Sequence, residues 1–300
     1  IVHPNDHVNM AQSTNDVYPT AGKLTILALL PAALHQLNRL YEALEIKAQE
    51  FDDVVKMGRT QLQDAVPIRL GQEFHAYASA IQRDIKRLHK AAQDLCVVNM
   101  GATAIGTAIN VSADYLDHIV ADLREITKFP LIQSENLIDG TQNLDGFVNV
   151  SGIIKTCAVN LSKMSNDLRL MSSGPRTGLA EINLPPKKNG SSILPGKVNP
   201  VIPECVNQCC FMVFGMDTTV TWAASEGQLQ LNAFDPVIIH ELLNGIELLT
   251  RAMAMFRERC VSGITINAST GRRYAEYSPS IAAALNRKYV RVSLGGLHDE

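Results

Sequence analysis

Hydrophobic positions along this chain fall into long runs spaced alternately three and four residues apart, the spacing of one face of a helix packed in a bundle. Leu27, Leu30, Leu34, Leu37, Tyr41 and Leu44 form a first seam, and Phe74, Tyr77, Ile81, Ile85, Leu88, Ala92 and Leu95 a second. Phe147, Val150, Ile154, Cys157, Leu161, Met164, Leu168 and Met171 keep the rhythm unbroken over residues 143–172, which predicts a helix about 40 Å long. Ile202, Val206, Cys209, Val213, Met216 and Val220 give a fourth seam, and Ile239, Leu242, Ile246, Leu249, Met253 and Phe256 a fifth. A shorter helix is expected over residues 113–127. No stretch of comparable length alternates with period two. The pattern therefore predicts an all-α fold, an elongated bundle of long helices.

Breakers and polar runs divide these seams. Ser173, Gly174 and Pro175 stop the third. Pro31 is expected to kink the first helix or to mark a first turn. Residues 1–20, 58–67 and 128–141 read as polar or connecting loops. From Asn267 onward only short helices are indicated, near Arg272 to Glu276 and over residues 281–285, followed by an irregular end. Residues 1–266 are thus expected to form a central helix-bundle domain and 267–300 a partial C-terminal one. The chain starts without an initiator Met, which reads as a piece of something longer. Seams this long favour subunits packing side by side, the alternative being a bundle closed within one chain.

Composition narrows the function. With 300 residues, 46% hydrophobic, the chain can bury a large core, and a formal charge of −3 without a basic run gives no electrostatic footprint for nucleic acid. The apolar stretch 24–34 is interrupted by Pro31 and too short to span a bilayer, so a soluble, cytoplasmic protein without a membrane partner is expected. Cys96, Cys157, Cys205, Cys209, Cys210 and Cys260 include no CxxC pair, and no His stands at ligand spacing from Cys205 or Cys209. That predicts reduced, buried thiols and no metal site. The small-residue run from Gly101 to Thr107 lacks the preceding strand that a dinucleotide motif needs.

One loop concentrates chemistry. Gly190, Ser191, Ser192, Ile193, Leu194, Pro195, Gly196, Lys197, Val198, Asn199 and Pro200 place a hydroxyl, a cation and an amide within nine positions. Asn199 can cap a helix whose first turn begins at Pro200, and that helix start would add free N–H groups to the Lys197 charge. Such a combination suits carboxylates.

This loop resembles the signature Gly-Ser-Ser-x-x-Pro-x-Lys-x-Asn of the aspartase/fumarase superfamily, and residues 9–16 and 58–64 resemble two further regions of that family. The resemblance covers about residues 1–275. Thr60-Gln61 stands where fumarate hydratases of the family usually carry Thr-His. Together with residues 172–176, 181–185 and 227–232, it points to the aspartate ammonia-lyase branch. The resemblance implies elimination of ammonia from L-aspartate to give fumarate, with Ser191 as the base and an aci-carboxylate intermediate. Such a base works only where cations and N–H groups stabilise its alkoxide. It further implies that Lys197 and Asn199 bind one carboxylate, that Ser13, Thr14, Asn15, Thr60 and Gln61 hold the other carboxylate and the amino group, and that no metal or organic cofactor is needed. Glu204 either tunes this network or is a solvated first-turn acid. His3 and His7 resemble an accessory anion site in relatives, the alternative being surface or hydrogen-bonding roles. The family assembles as a homotetramer with sites drawn from three subunits. Its N-terminal domain is expected to be missing here and its C-terminal domain cut short. Fumarate hydratase, or a fragment that only assembles, are the alternatives.

Overall fold

A computed structural model describes residues 1–188, 193–194 and 196–280. Its helices in chain order are α1 (Thr14–Glu50), α2 (Leu70–Asp94), α3 (Ala113–Thr127), α4 (Leu137–Gln142), α5 (Asp145–Met171), α6 (Val201–Ser225), α7 (Asp235–Arg259) and α8 (Ala268–Tyr277). The all-α expectation holds, with the five long helices where the seams placed them. They close a ring: α1 packs on α2, α2 on α5, α5 on α6, α6 on α7, and α7 back on α1. Two ends result. Asn149 of α5 donates to Asp94 of α2 at 2.5 Å at one end, while Arg169 of α5 lies 3.8 Å from Glu204 of α6 at the other. Helices α1, α5 and α7 therefore run one way, and α2 and α6 run back.

The N-terminal polar run is not all loop. Pro4–Val8 winds into a short π-helix, and Ser13 starts α1 through a capping box. Ser13 Oγ accepts from Asn15 N at 3.1 Å, and Asp16 Oδ1 accepts from Ser13 N at 2.9 Å. Nor does Pro31 end the helix or mark a first turn, since α1 continues past both Pro19 and Pro31. A proline inside a helix costs about 3 kcal/mol. Around it Ile26, Leu30, Leu37, Leu40 and Leu44 are all but completely buried, each contributing about 1.5–3 kcal/mol, so packing outweighs the breaker. As one continuous 37-residue element, α1 is also long and apolar enough to cross a membrane by length and composition, the one such helix among the described residues. Its apolar stripe packs on α2 and α7, and Gly22 lets α7 approach so closely that an added Cβ would meet Ile239 Cδ1 at 2.3 Å.

The second polar segment is a hairpin that the helical seams gave no reason to expect. Strands β1 (Val55–Thr60) and β2 (Gln63–Arg69) pair antiparallel, with a register break between Met57 and Arg59. The two-residue tip, Gln61 and Leu62, is left-handed in both members, φ 52° and 64°. Four further short strands complete those among the described residues: β3 (Val97–Val98) pairs in parallel with β4 (Ile132–Gln133), and β5 (Ile182–Asn183) antiparallel with β6 (Thr265–Ile266). The segment 128–141 likewise contains β4 and the start of α4 rather than plain loop.

Polar side chains pin the helices along their length. Asp217 of α6 accepts from Ser151 (2.8 Å) and Lys155 (2.6 Å) of α5, and Asn207 of α6 donates to Ser162 Oγ of α5 at 2.8 Å. Asp84 of α2 accepts from Asn160 of α5 at 2.8 Å and from Arg87 at 2.8 Å; burial pushes its carboxyl above the usual range against those bonds. Sliding α2 or α6 by one turn along α5 would strand one of these buried groups. Helix α6 is apolar on more than its inner face, with Phe211, Met212 and Trp222 exposed. The thiols are all free; Cys205 is exposed and Cys209 half-buried, a departure from the expectation of uniform burial.

Phe74 is fully buried between Phe51 (5.1 Å) and Tyr77 (5.7 Å), both edge-on. Phe74→Ala is expected to lower unfolding free energy by about 3–5 kcal/mol, measured by urea denaturation. A loss below about 1 kcal/mol would mean the cluster is not packed as described.

Candidate active site

The candidate residues gather at the two ends of the bundle. Ser13, Thr14 and Asn15 open α1; Thr60 and Gln61 sit on the hairpin beyond its other end. At 1.5 Å per residue, α1 separates these groups by about 55 Å. Lys197, Asn199 and Glu204 belong to the hairpin end, because Glu204 faces Arg169 at the close of α5 and Met171 of α5 lies 3.2 Å from Lys56 of β1. One chain thus brings the second and third groups to a common end and holds the first away from them.

At the first end, Asp16 organises what surrounds Asn15. Fully buried, its Oδ2 accepts from Gly101 N (3.2 Å) and Thr103 N (3.0 Å), so the small-residue turn serves as backbone donor to a carboxylate. Asn15 Nδ2 donates to Ala104 O at 2.7 Å, and Asn99 Nδ2 donates to Asn15 O (3.1 Å) and Thr141 Oγ1 (3.0 Å). Further along α1, Lys23 donates to Val97 O at 2.7 Å and lies 5.7 Å from the Phe147 ring centroid. Burial pulls its ammonium below the usual range, with Asp145 opposing. Asp16, Asn99 and Thr141 were not singled out from the sequence. The signal for Asp16 was present in Ser13-Thr14-Asn15-Asp16, a capping-box pattern; nothing local marks Asn99 or Thr141, which meet only through the fold. His3 and His7 are exposed, and each ring accepts from a nearby backbone N–H, Asp6 N to His3 at 3.2 Å and His3 N to His7 at 2.8 Å.

At the other end Thr60 and Gln61 are exposed on the hairpin tip, directly after the half-buried Arg59. A charge cluster lies beneath. Arg59 Nη1 donates to Glu181 Oε1 at 2.8 Å, and Lys56 Nζ lies 3.0 Å from Glu181 Oε2 and 2.9 Å from Glu73 Oε2. Tyr77 donates to Asp167 (2.8 Å) and Glu73 (3.3 Å), and the Arg59 guanidinium sits 5.6 Å from the Tyr274 ring of α8. Burial pushes the Tyr77 phenol up, aided by Glu73 and Asp167. Lys197 is exposed, and its N–H donates to Leu194 O at 3.2 Å. Helix α6 starts at Val201 with Pro200 as its cap residue and no side-chain cap, so Asn199 does not cap it. Val201 N bonds the Asn199 carbonyl instead, at 2.9 Å. That leaves the Asn199 side chain half-exposed beside a helix start without a side-chain cap, a place where a ligand anion can meet the Ile202 N–H and the positive end of the helix, since Val201 N is already bonded and Pro203 has no N–H. Ser191 lies outside the described residues, as do Gly190, Ser192, Pro195 and residues 281–300.

Residues 1–215 match a family model described as Lyase. The chain is 49% identical over 283 residues to the aspartate ammonia-lyase of Bacillus subtilis, covering 94% of this chain and 60% of that protein. Against the aspartate ammonia-lyase of Pseudomonas aeruginosa it is 52% identical over 286 residues, again spanning 60% of the relative. Among solved structures, a fumarate lyase:delta crystallin from Brucella melitensis bound to cobalt superposes with a TM-score of 0.93 at 53% identity, covering 95% of this chain and 62% of that one. The class II fumarase from Schistosoma mansoni gives 0.91 at 37% identity, with 95% and 63% covered. The chain therefore spans about three fifths of the length of the curated relatives it matches.

Asp16→Ala would leave Gly101 N and Thr103 N unpaired in a buried place, at about 1–3 kcal/mol for each. Loss of stability of about that size, with faster amide exchange confined to residues 101–104, is the expected outcome by urea denaturation and exchange mass spectrometry. Unchanged exchange there would remove Asp16 as organiser of this end.

Proposed function

The chain belongs to the aspartase/fumarase superfamily of lyases, and from that premise we propose that it forms the catalytic bundle of an aspartate ammonia-lyase acting on L-aspartate. The observation that carries the reading is identity of 49% and 52% to two aspartate ammonia-lyases across nearly the whole of this chain. Within it residues 1–266 are assigned to the central domain, 267–300 to part of a C-terminal one, and the enzyme to the cytoplasm.

The chemistry asks for two things of the site. A base must take the proton from the carbon next to a carboxylate, and positive or N–H groups must hold the charge that then builds on that carboxylate. Ser191 is assigned as base, its alkoxide stabilised by Lys197 and the uncapped start of α6; Lys197 and Asn199 receive the carboxylate. Ser13, Thr14, Asn15, Thr60 and Gln61 receive the second carboxylate and the ammonium group. Hydroxyls and amides suit that part because they orient an anion without neutralising the amine that must leave. Glu204, 3.8 Å from Arg169, is assigned a supporting role.

Assembly follows from the separation of the parts. Groups held about 55 Å apart by α1 cannot touch one small substrate within one chain, so the site is assigned to a homotetramer in which different subunits supply different groups. The exposed Phe211, Met212 and Trp222 on α6 support packing against another copy. Fumarate hydration is the second reading, favoured by the likeness to the class II fumarase.

The full-length protein is expected to release ammonia and fumarate from L-aspartate, followed by ammonia assay and fumarate absorbance. Malate from fumarate without activity on aspartate would instead establish the hydratase. Ser191→Ala is expected to lower kcat by about 10²–10⁴-fold with an unchanged elution volume in size-exclusion chromatography; retained turnover would remove Ser191 as base.

A further inference from the structure

Glu181 belongs to neither candidate segment at the hairpin end, yet it touches the root of both. Its N–H donates to Met171 O at 2.8 Å, where α5 ends, and its carbonyl accepts from Asn267 N at 2.9 Å, where α8 begins. It directly precedes β5, from which the chain runs on towards Lys197 and Asn199. Its side chain, only 2% exposed, crosses to the hairpin. There Oε1 accepts from Arg59 Nη1 at 2.8 Å, and Oε2 lies 3.0 Å from Lys56 Nζ, close enough for an ion pair but without an aligned hydrogen bond. Arg59 is the residue immediately before Thr60.

We propose that Glu181 is a positioning residue for substrate binding, its carboxylate clamping Arg59 and Lys56 so that the hairpin tip carrying Thr60 and Gln61 is held at a fixed height above the root of the Lys197 and Asn199 segment. The kinetic part of this claim rests on the aspartate ammonia-lyase reading.

The hairpin needs such an anchor. Two strands alone are marginally stable in water, the pairing is broken between Met57 and Arg59, and Thr60 to Asp64 are all exposed. Buried Met57 and Lys56 seat the base of the hairpin, and beyond the break Arg59 ties the tip down, held by Glu181 on one side and lying against Tyr274 on the other. The cluster balances in charge, Lys56 and Arg59 against Glu73 and Glu181. Desolvation offsets most of what a buried ion pair gains, so apolar residues would serve stability at least as well. Ions do one thing apolar residues do not: they fix partners to a small range of distances and angles.

The test uses the full-length protein and Glu181→Gln, with steady-state kinetics on L-aspartate and amide exchange followed by mass spectrometry. The expected result is a KM raised about tenfold or more with kcat changed less than about threefold. Exchange should accelerate at residues 58–64 and 182–188 and nowhere else. Glu181→Gln/Lys56→Met, which removes one of the two cations then facing Glu73 alone, should recover thermal stability while KM stays raised. An unchanged KM in the single variant, or a KM that returns together with Tm in the double variant, overturns the proposal. Should the wild-type protein release no ammonia, the enzymatic reading fails by itself, and exchange at residues 58–64 decides the clamp: faster exchange in Glu181→Gln upholds it, unchanged exchange overturns it.

Discussion

A continuous helix of 37 residues sets the distance between the two ends of this molecule, and the rest of the structure is arranged along it. Its apolar stripe supplies one wall of the ring formed with α2, α5, α6 and α7. Continuity is not guaranteed by propensity, since Pro19 and Pro31 both forfeit a backbone bond. Tertiary burial of Ile26, Leu30, Leu37 and Leu40 on either side restores it. Were α1 to break at Pro31, the Asn15 group would no longer be held at a set distance from the hairpin.

Each end is then built by a different kind of chemistry. Around Asn15 the work is done by backbone: the Asp16 carboxylate draws in Gly101 N and Thr103 N, and Asn99 bridges Asn15 O to Thr141. Around Thr60 it is done by side-chain charge, with two carboxylates and two cations beneath a two-stranded hairpin, Lys56 and Glu181 buried and Arg59 and Glu73 partly so. Between the ends, Asp217 with Ser151 and Lys155, and Asp84 with Asn160, keep the antiparallel helices from sliding. Position at the ends depends on register in the middle.

The long helices were legible because one physical cause, burial of a single face, writes the same three-four spacing many times over. Seams such as Phe147 to Met171 leave little room for another reading. What escaped were places where the cause is local or distant. The capping box at Ser13 is spelled in four letters inside a run of polar residues. The hairpin around Gln61 carries no Asn-Gly turn, so its tip gives none of the usual signal. Asn199 stands before a proline as a cap residue should, but α6 starts one residue later and leaves its side chain unused for that purpose. Glu181 lies more than 120 residues beyond Lys56 and Arg59 and could be joined to them only by the folded chain. The candidate residues themselves were found through the signature loop and the two further regions, 9–16 and 58–64, that resemble the family, and their division between two ends appears only once α1 is seen to be unbroken.

The Gln61-Leu62 tip has a consequence for anyone who would improve this protein. Both residues hold a left-handed conformation that glycine or asparagine adopts freely and that costs other residues about 1–2 kcal/mol. A search for sturdier sequences would replace them with Asn-Gly and gain stability at once. The same change would shorten the side chain at position 61 by one methylene, drawing its amide back from the place the proposed site gives it. Directed evolution for heat tolerance would thus be drawn to a tip that the proposed site uses, and on that reading the tip should be held fixed while the helices are redesigned.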